Sequence, residues 1–142
     1  MWQRIQTLYL LVATVLVAVL FFSPLATVYG PGGSRESIAF AEKLPYLALM
    51  ISIAAAQLFA LVTYRARMVQ MRVAVIAALL LVGFQAWIAV DFFRAPSQVV
   101  FRLTAVFPLV AAILDVLAAR AVFSDELLVR SASRLRAAKR KR

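Results

Sequence analysis

Four apolar runs, each long enough to cross a lipid bilayer, constrain this chain more than any other feature. They extend from Ile5 to about Val28, from Leu44 to Tyr64, from Val73 to Phe93 and from about Thr104 to Phe123. A hydrocarbon core of about 30 Å is crossed by roughly 20 helical residues rising 1.5 Å each. Backbone N–H and C=O groups find no partner in lipid, so only helices or a closed barrel can span it. These runs are continuously apolar rather than alternating, which argues against barrel strands. Composition agrees: 65% of the 142 residues are hydrophobic and 15% charged, against about half and about a quarter in a soluble domain.

Proline and glycine punctuate the runs. Pro24 and then Gly30-Pro31-Gly32-Gly33 close the first, whereas Pro45 and Pro108 sit in first turns, where a missing N–H costs little. The first run exceeds the ~7–15 residues of a signal-peptide core, so a retained span is expected. Trp2, Tyr9, Tyr29, Tyr46, Tyr64, Trp87, Phe92, Phe93 and Phe101 lie near span ends, as an interfacial aromatic belt requires. The connections are short, which predicts an all-α, up-down antiparallel bundle of four transmembrane helices (residues 1–123). No internal repeat suggests an inverted-repeat transporter.

Charge sets the expected orientation. With the N-terminus inside, the cytoplasmic segments hold Arg4, Arg65, Arg67, Arg72, Arg120, Arg130, Arg134, Arg136, Lys139, Arg140, Lys141 and Arg142. The outer connections hold Arg35, Lys43, Arg94 and Arg102, a twelve-to-four bias among the sixteen Lys and Arg. That is the positive-inside pattern for N-in, C-in.

No cysteine or histidine is present, which removes disulfides, the usual zinc and haem sites and histidine acid–base chemistry. The glycine cluster opens no phosphate-binding GK[ST] motif. No catalytic, cofactor or metal residue is therefore expected, and the chain is read as a non-enzyme. Three polar side chains fall within roughly 5 Å of their span centres along the helix axes: Gln57, Gln85 and Asp115. They are the candidates for one intramembrane polar layer. An acid at mid-span costs about 2.5–3.5 kcal/mol to insert and is usually partnered or functional. Ala111 and Ala119 share its helical face, which suits inward packing. A proton path normally needs several ionisable groups, and no second acid lies at this depth, so helix pairing is the favoured role. Ser52, Ala56 and Ala60 form a small-residue stripe suited to packing within the bundle or against a second subunit. Asp91 and Arg94 are spaced for an ion pair, and Glu42 and Lys43 read as solvated boundary charges.

After Phe123 the pattern changes. Ser124 suits a helix N-cap, with Asp125 and Glu126 at the positive end of a new helix. Leu127, Leu128, Ser131, Leu135 and Ala138 recur at three- and four-residue steps. Residues 124–142 thus read as a short basic amphipathic helix on the inner membrane surface. Its candidate contacts to anionic lipid are Arg130, Arg134, Arg136, Lys139, Arg140, Lys141 and Arg142. The tail lacks aromatic stacking groups, so nucleic acid is not the expected partner.

Both ends also resemble a known family. The opening Met1-Trp2-Gln3-Arg4-Ile5-Gln6-Thr7-Leu8-Tyr9-Leu10-Leu11, then Phe21-Phe22-Ser23-Pro24-Leu25-Ala26, is similar to small four-span membrane proteins from Bacteroidota catalogued as a domain of unknown function. The similarity resumes at Phe107-Pro108-Leu109-Val110-Ala111, at Asp125-Glu126-Leu127-Leu128-Val129-Arg130-Ser131 and at Arg134-Leu135-Arg136. An acidic residue common in that family is replaced by Ser133. The resemblance implies the inner membrane of a Gram-negative cell and two cytoplasmic ends that meet something specific. It implies no activity. The expected function is a non-catalytic structural or accessory subunit of a membrane assembly, bound to lipids and to other subunits or itself. The alternative is a small transporter or channel with Asp115 on its path.

Overall fold

A computed structural model describes residues 2–141. Met1 and Arg142, and the side chains of Trp2, Gln3, Arg4 and Ala41, lie outside what is described. The chain runs α1 (Trp2–Phe22), β1 (Pro24–Tyr29), β2 (Arg35–Ala39), α2 (Leu44–Val62), α3 (Arg67–Arg94), β3 (Val99–Phe101) and α4 (Phe107–Arg140). Short 3-10 turns at Phe40–Glu42, Thr63–Arg65 and Leu103–Val106 lead into or out of the helices. The protein is mostly helical, and four helices are long and apolar enough to cross a membrane.

Each helix buries one stripe. On α1 it is Gln6, Leu10, Ala13, Val17 and Leu20, and on α2 it is Tyr46, Met50, Ile53, Gln57 and Ala60. Both follow the three- and four-residue steps of a helix face. Helices α3 and α4 turn in alanine-rich stripes, with Ala74, Ala77 and Ala78 on one and Ala111, Ala112, Ala118 and Ala119 on the other. The remaining faces expose large apolar groups such as Leu58, Leu79, Ile113 and Val116. Exposed apolar faces over these lengths match a lipid solvent, since the helices are not apolar inward and polar outward.

The first span differs from its expected extent. Helix α1 ends at Phe22, and the segment expected to finish it, up to Val28, is strand β1. Pro24 has no N–H to give the helix, and its ring would clash with the carbonyl of Leu20. Ser23 closes the last turn, its N–H donating to Leu20 O at 3.3 Å and its hydroxyl to Val19 O at 2.8 Å. The apolar, partly β-branched run that follows finds partners on both sides. Strand β1 pairs antiparallel with β2 (Val28 opposite Glu36) and with β3 (Thr27 opposite Val100), giving the order β2-β1-β3. Gly32 and Gly33 turn the β1–β2 hairpin at φ 89° and 79°, a left-handed region where a Cβ is disfavoured. The sheet is pinned to the start of α4 by Arg102 N–H to Leu25 O at 3.0 Å and Thr104 Oγ1 to Pro24 O at 2.9 Å.

The tail also differs. No new helix starts at Ser124: α4 continues unbroken to Arg140. The Ser124 hydroxyl donates back to Arg120 O at 3.0 Å, the mid-helix alternative to capping. The 34 residues of α4 span about 51 Å, well beyond a hydrocarbon core of about 30 Å.

Candidate functional site

The buried polar centre joins three helices. Gln57 on α2 donates from Nε2 to Asp115 Oδ2 on α4 at 2.5 Å, with both side chains fully enclosed. Thr14 on α1 reaches the same glutamine, its Oγ1 lying 3.4 Å from Gln57 Oε1 while it donates to Leu10 O at 2.7 Å. Asp115 Oδ1 is buried and has no hydrogen-bond partner among the described residues. Ala111, Ala118 and Ala119 beside Asp115 are buried as well, so small neighbours bring the α4 backbone close. Hydrogen bonds of this kind between membrane helices average about 0.6 kcal/mol, so they specify which helices meet more than they drive the meeting.

Gln85 does not join this centre. It is half-buried on α3, and its Oε1 accepts from Leu109 N–H at 3.2 Å. Leu109 lies in the first turn of α4, where backbone N–H groups have no partner inside the helix. Gln85 therefore caps a neighbouring helix. Thr14 takes its place in the layer.

The small-residue stripe is divided as well. Ala60 is buried, Ala56 half-buried and Ser52 exposed, its hydroxyl turned back to Ala48 O at 2.9 Å. The inward face of α2 is the Tyr46–Met50–Ile53–Gln57–Ala60 stripe, so Ser52 and Ala56 lie off it. At the other end of α1, Gln6 is buried with Nε2 unpartnered among the described residues, and Gln70 on α3 is buried too. Their spacing in phase with Leu10 and Ala74 is the signal that would have marked them as inward-facing.

A second polar group lies under the sheet. Asp91 near the end of α3 pairs with Lys43 at 3.2 Å and accepts a hydrogen bond from the Tyr46 hydroxyl. These direct contacts tie α2 to α3, while Arg94, one turn on, acts on the same carboxylate through its charge without a direct contact. Lys43 is accordingly not a free boundary charge, and its ammonium lies 5.1 Å from the centre of the Tyr46 ring. Tyr46 is a core residue rather than part of an aromatic belt. Its ring stands edge-on to Phe84 at 5.2 Å and to Trp87 at 6.2 Å, with Phe40 closing the cluster.

At the far end of the bundle, Arg67 at the start of α3 bridges to Asp125 on α4 at 3.1 Å. Glu126 pairs with Arg130 one turn on at 3.0 Å. The two acids expected to favour a new helix start are instead engaged by arginines. Arg130, Arg134, Arg136, Lys139, Arg140 and Lys141 are exposed along the projecting end of α4, and Ser133 Oγ donates to Arg130 O at 2.8 Å.

A comparison with curated proteins gives no match. The family described as Domain of unknown function (DUF4293) matches residues 2–135, nearly the whole chain, and the protein belongs to that family.

Proposed function

We propose that this protein is a non-catalytic, four-span subunit of an assembly in the bacterial inner membrane, with both ends cytoplasmic. The observation that carries this is the disposition of α4. One helix supplies Asp115 to the enclosed bundle centre and then runs on as an exposed basic rod. The up-down antiparallel order is supported by three pairings: Tyr46 with Asp91, Gln85 with Leu109 and Arg67 with Asp125. Each joins the beginning of one helix to a later part of its neighbour. The positive-inside bias supports the orientation.

The continuous helix sharpens the role of the tail. Counting 1.5 Å per residue, Arg140 stands about 25 Å beyond Phe123, whereas the Debye length is about 8 Å at physiological salt. A straight tail brings Arg130 and Arg134 nearest the anionic headgroups. Arg136, Lys139, Arg140 and Lys141 would face a cytoplasmic partner or a more distant lipid surface. Purification into native-lipid discs, followed by mass determination, tests the assembly. A complex of defined stoichiometry is expected, and a stable partner-free monomer contradicts it.

A second function, a small transporter or channel, is favoured by one observation: a fully enclosed carboxyl with one oxygen unpartnered. It requires that Asp115→Asn abolish a flux while expression is kept. The Gln57–Asp115 bond favours the pairing role, because an amide that already grips the carboxyl locks α2 to α4.

A further inference from the structure

Past the Arg67–Asp125 ion pair, α4 carries a pattern that the bundle does not use. Ser124, Leu128, Ser131, Leu135 and Ala138 recur at alternating steps of four and three residues, which puts them on one face of the helix. Leu128 is 60% and Leu135 73% exposed, and every residue from Leu127 to Lys141 is exposed. The first four residues of this stripe line an open depression of about 880 Å³, together with Leu127, Arg130 and Arg134 among the described residues. Counting 1.5 Å per residue, Leu128 and Leu135 stand about 5 and 15 Å past Asp125. Leu135 is also set between Arg134 and Arg136, so the stripe is not a continuation of the apolar span.

The polar groups on the stripe are already satisfied. The Ser124 and Ser131 hydroxyls donate to Arg120 O at 3.0 Å and to Leu128 O at 2.9 Å. Turned back on their own helix, they leave a seam of two leucines and three small residues, into which another helix can pack closely. The flanks of the seam are cationic, with Arg134 and Lys141 on one side and Lys139 on the other. The acids of the tail do not offset them, because Asp125 is held by Arg67 and Glu126 by Arg130. Among the described residues, Arg134, Lys139 and Lys141 are in no ion pair.

We propose that this end of α4 docks an acidic amphipathic helix of a cytoplasmic protein. Leu128 and Leu135 fill the seam, and Arg134, Lys139 and Lys141 pair with carboxylates flanking the partner's apolar stripe. Charge selects this occupant over a second copy. Two copies inserted the same way round run their tails in parallel, which sets Arg134 against Lys139 of the second copy. Like charges there oppose association, whereas acids in the same positions favour it. Distance selects it over lipid, since Leu135 and the cations after it stand more than a Debye length of about 8 Å past Asp125 on a straight helix. The inference rests on the cytoplasmic placement of the tail proposed above, and it names the chemistry of the partner.

The test uses the full chain in phosphatidylcholine discs and three synthetic helical peptides. The first carries leucine and alanine along its seam with glutamate on both flanks. The second has lysine on the flanks, and the third has the composition of the first in scrambled order. By fluorescence anisotropy, the first is expected to bind about tenfold or more tighter than either control. Leu128→Ser/Leu135→Ser should abolish the difference, and Arg134→Glu/Lys139→Glu should reverse it in favour of the lysine peptide. Arg140→Gln, on the opposite face, should change affinity by less than about twofold. Equal binding of the ordered and scrambled acidic peptides overturns the proposal, because any acidic chain would then suffice. A charge-reversed variant that keeps the original preference overturns it too. In cells, benzoylphenylalanine in place of Leu135 should photo-cross-link to an acidic segment of a protein. Cross-links to a second copy, to lipid or to RNA contradict the proposal, as does the lack of any. Labelling of Ser133→Cys with an impermeant maleimide reads the side of the membrane on its own, so a failed docking face and a failed topology give different results.

Discussion

Toward the sheet, the bundle core includes the large side chains Leu25, Phe40, Tyr46, Met50 and Phe84 beside several alanines; toward the projecting tail it is chiefly alanine, with Ala60, Ala74, Ala118 and Ala119 around Leu10. The first set fills space with large rings held edge-on, and the Tyr46 hydroxyl is fixed to Asp91. The second set fills little space and lets helix backbones approach, which is how helices pack where lipid offers no hydrophobic contrast. Thr14, Gln57 and Asp115 form the polar link between α1, α2 and α4. Stability near the sheet therefore depends on side-chain volume, and near the tail on its absence. The same kind of substitution should have opposite consequences at the two ends.

The largest effect is expected from Phe84→Ala. It removes the ring that meets both Phe40 and Tyr46, and truncating a buried Phe costs about 3–5 kcal/mol. Reversible unfolding in mixed micelles would measure it, and a loss under about 1 kcal/mol would break the contrast. Next comes Ala118→Leu at the alanine end, where added volume forces helices apart at about 1–3 kcal/mol. Ile53→Ala in the ring-lined half is its counterpart: there the loss should come from a cavity instead. A third change, Gln57→Leu, leaves both Asp115 oxygens buried without their protein donor and should cost about 1–3 kcal/mol. Adding Asp115→Leu in the same chain should recover part of that loss, as a double-variant cycle would read. The smallest effects are expected at the surface: Ser52→Leu and Arg130→Gln should each shift stability by less than about 1 kcal/mol.

The four long apolar helices were legible because a continuous apolar run of this length favours a helix able to cross a membrane. The sheet was not, because Leu25, Ala26 and Val28 extend the first run without a change in polarity. A short apolar segment does not distinguish strand from helix. Its partner β3 has three residues, and their pairing with β1 is visible only once the chain ends are placed. Depth in the bilayer could be counted along the helices, which brought Gln57 and Asp115 to one level. Azimuth could not be read as surely: Gln85 sits one residue past the buried Phe84, enough to rotate it from the centre toward the start of α4. Local spacing was incomplete at Asp91: its direct partners, Lys43 and Tyr46, come from the start of α2, while Arg94 one turn away acts on it through charge alone. At Ser124 the hydroxyl could equally cap a new helix or bond backward within an existing one, and the structure takes the second course.

The proposed topology, with the sheet end and the tail end of the bundle toward opposite faces of the membrane, can be tested directly, since the chain has no native cysteine. Single cysteines would be introduced as Ser34→Cys in the hairpin turn, Ser97→Cys before β3, Ala66→Cys before α3 and Ser133→Cys in the tail. Spheroplasts would then be treated with a membrane-impermeant maleimide. The expected result is labelling at 34 and 97 in intact spheroplasts, and at 66 and 133 only after lysis. Labelling of the hairpin turn and the tail from the same side would contradict the four-span arrangement.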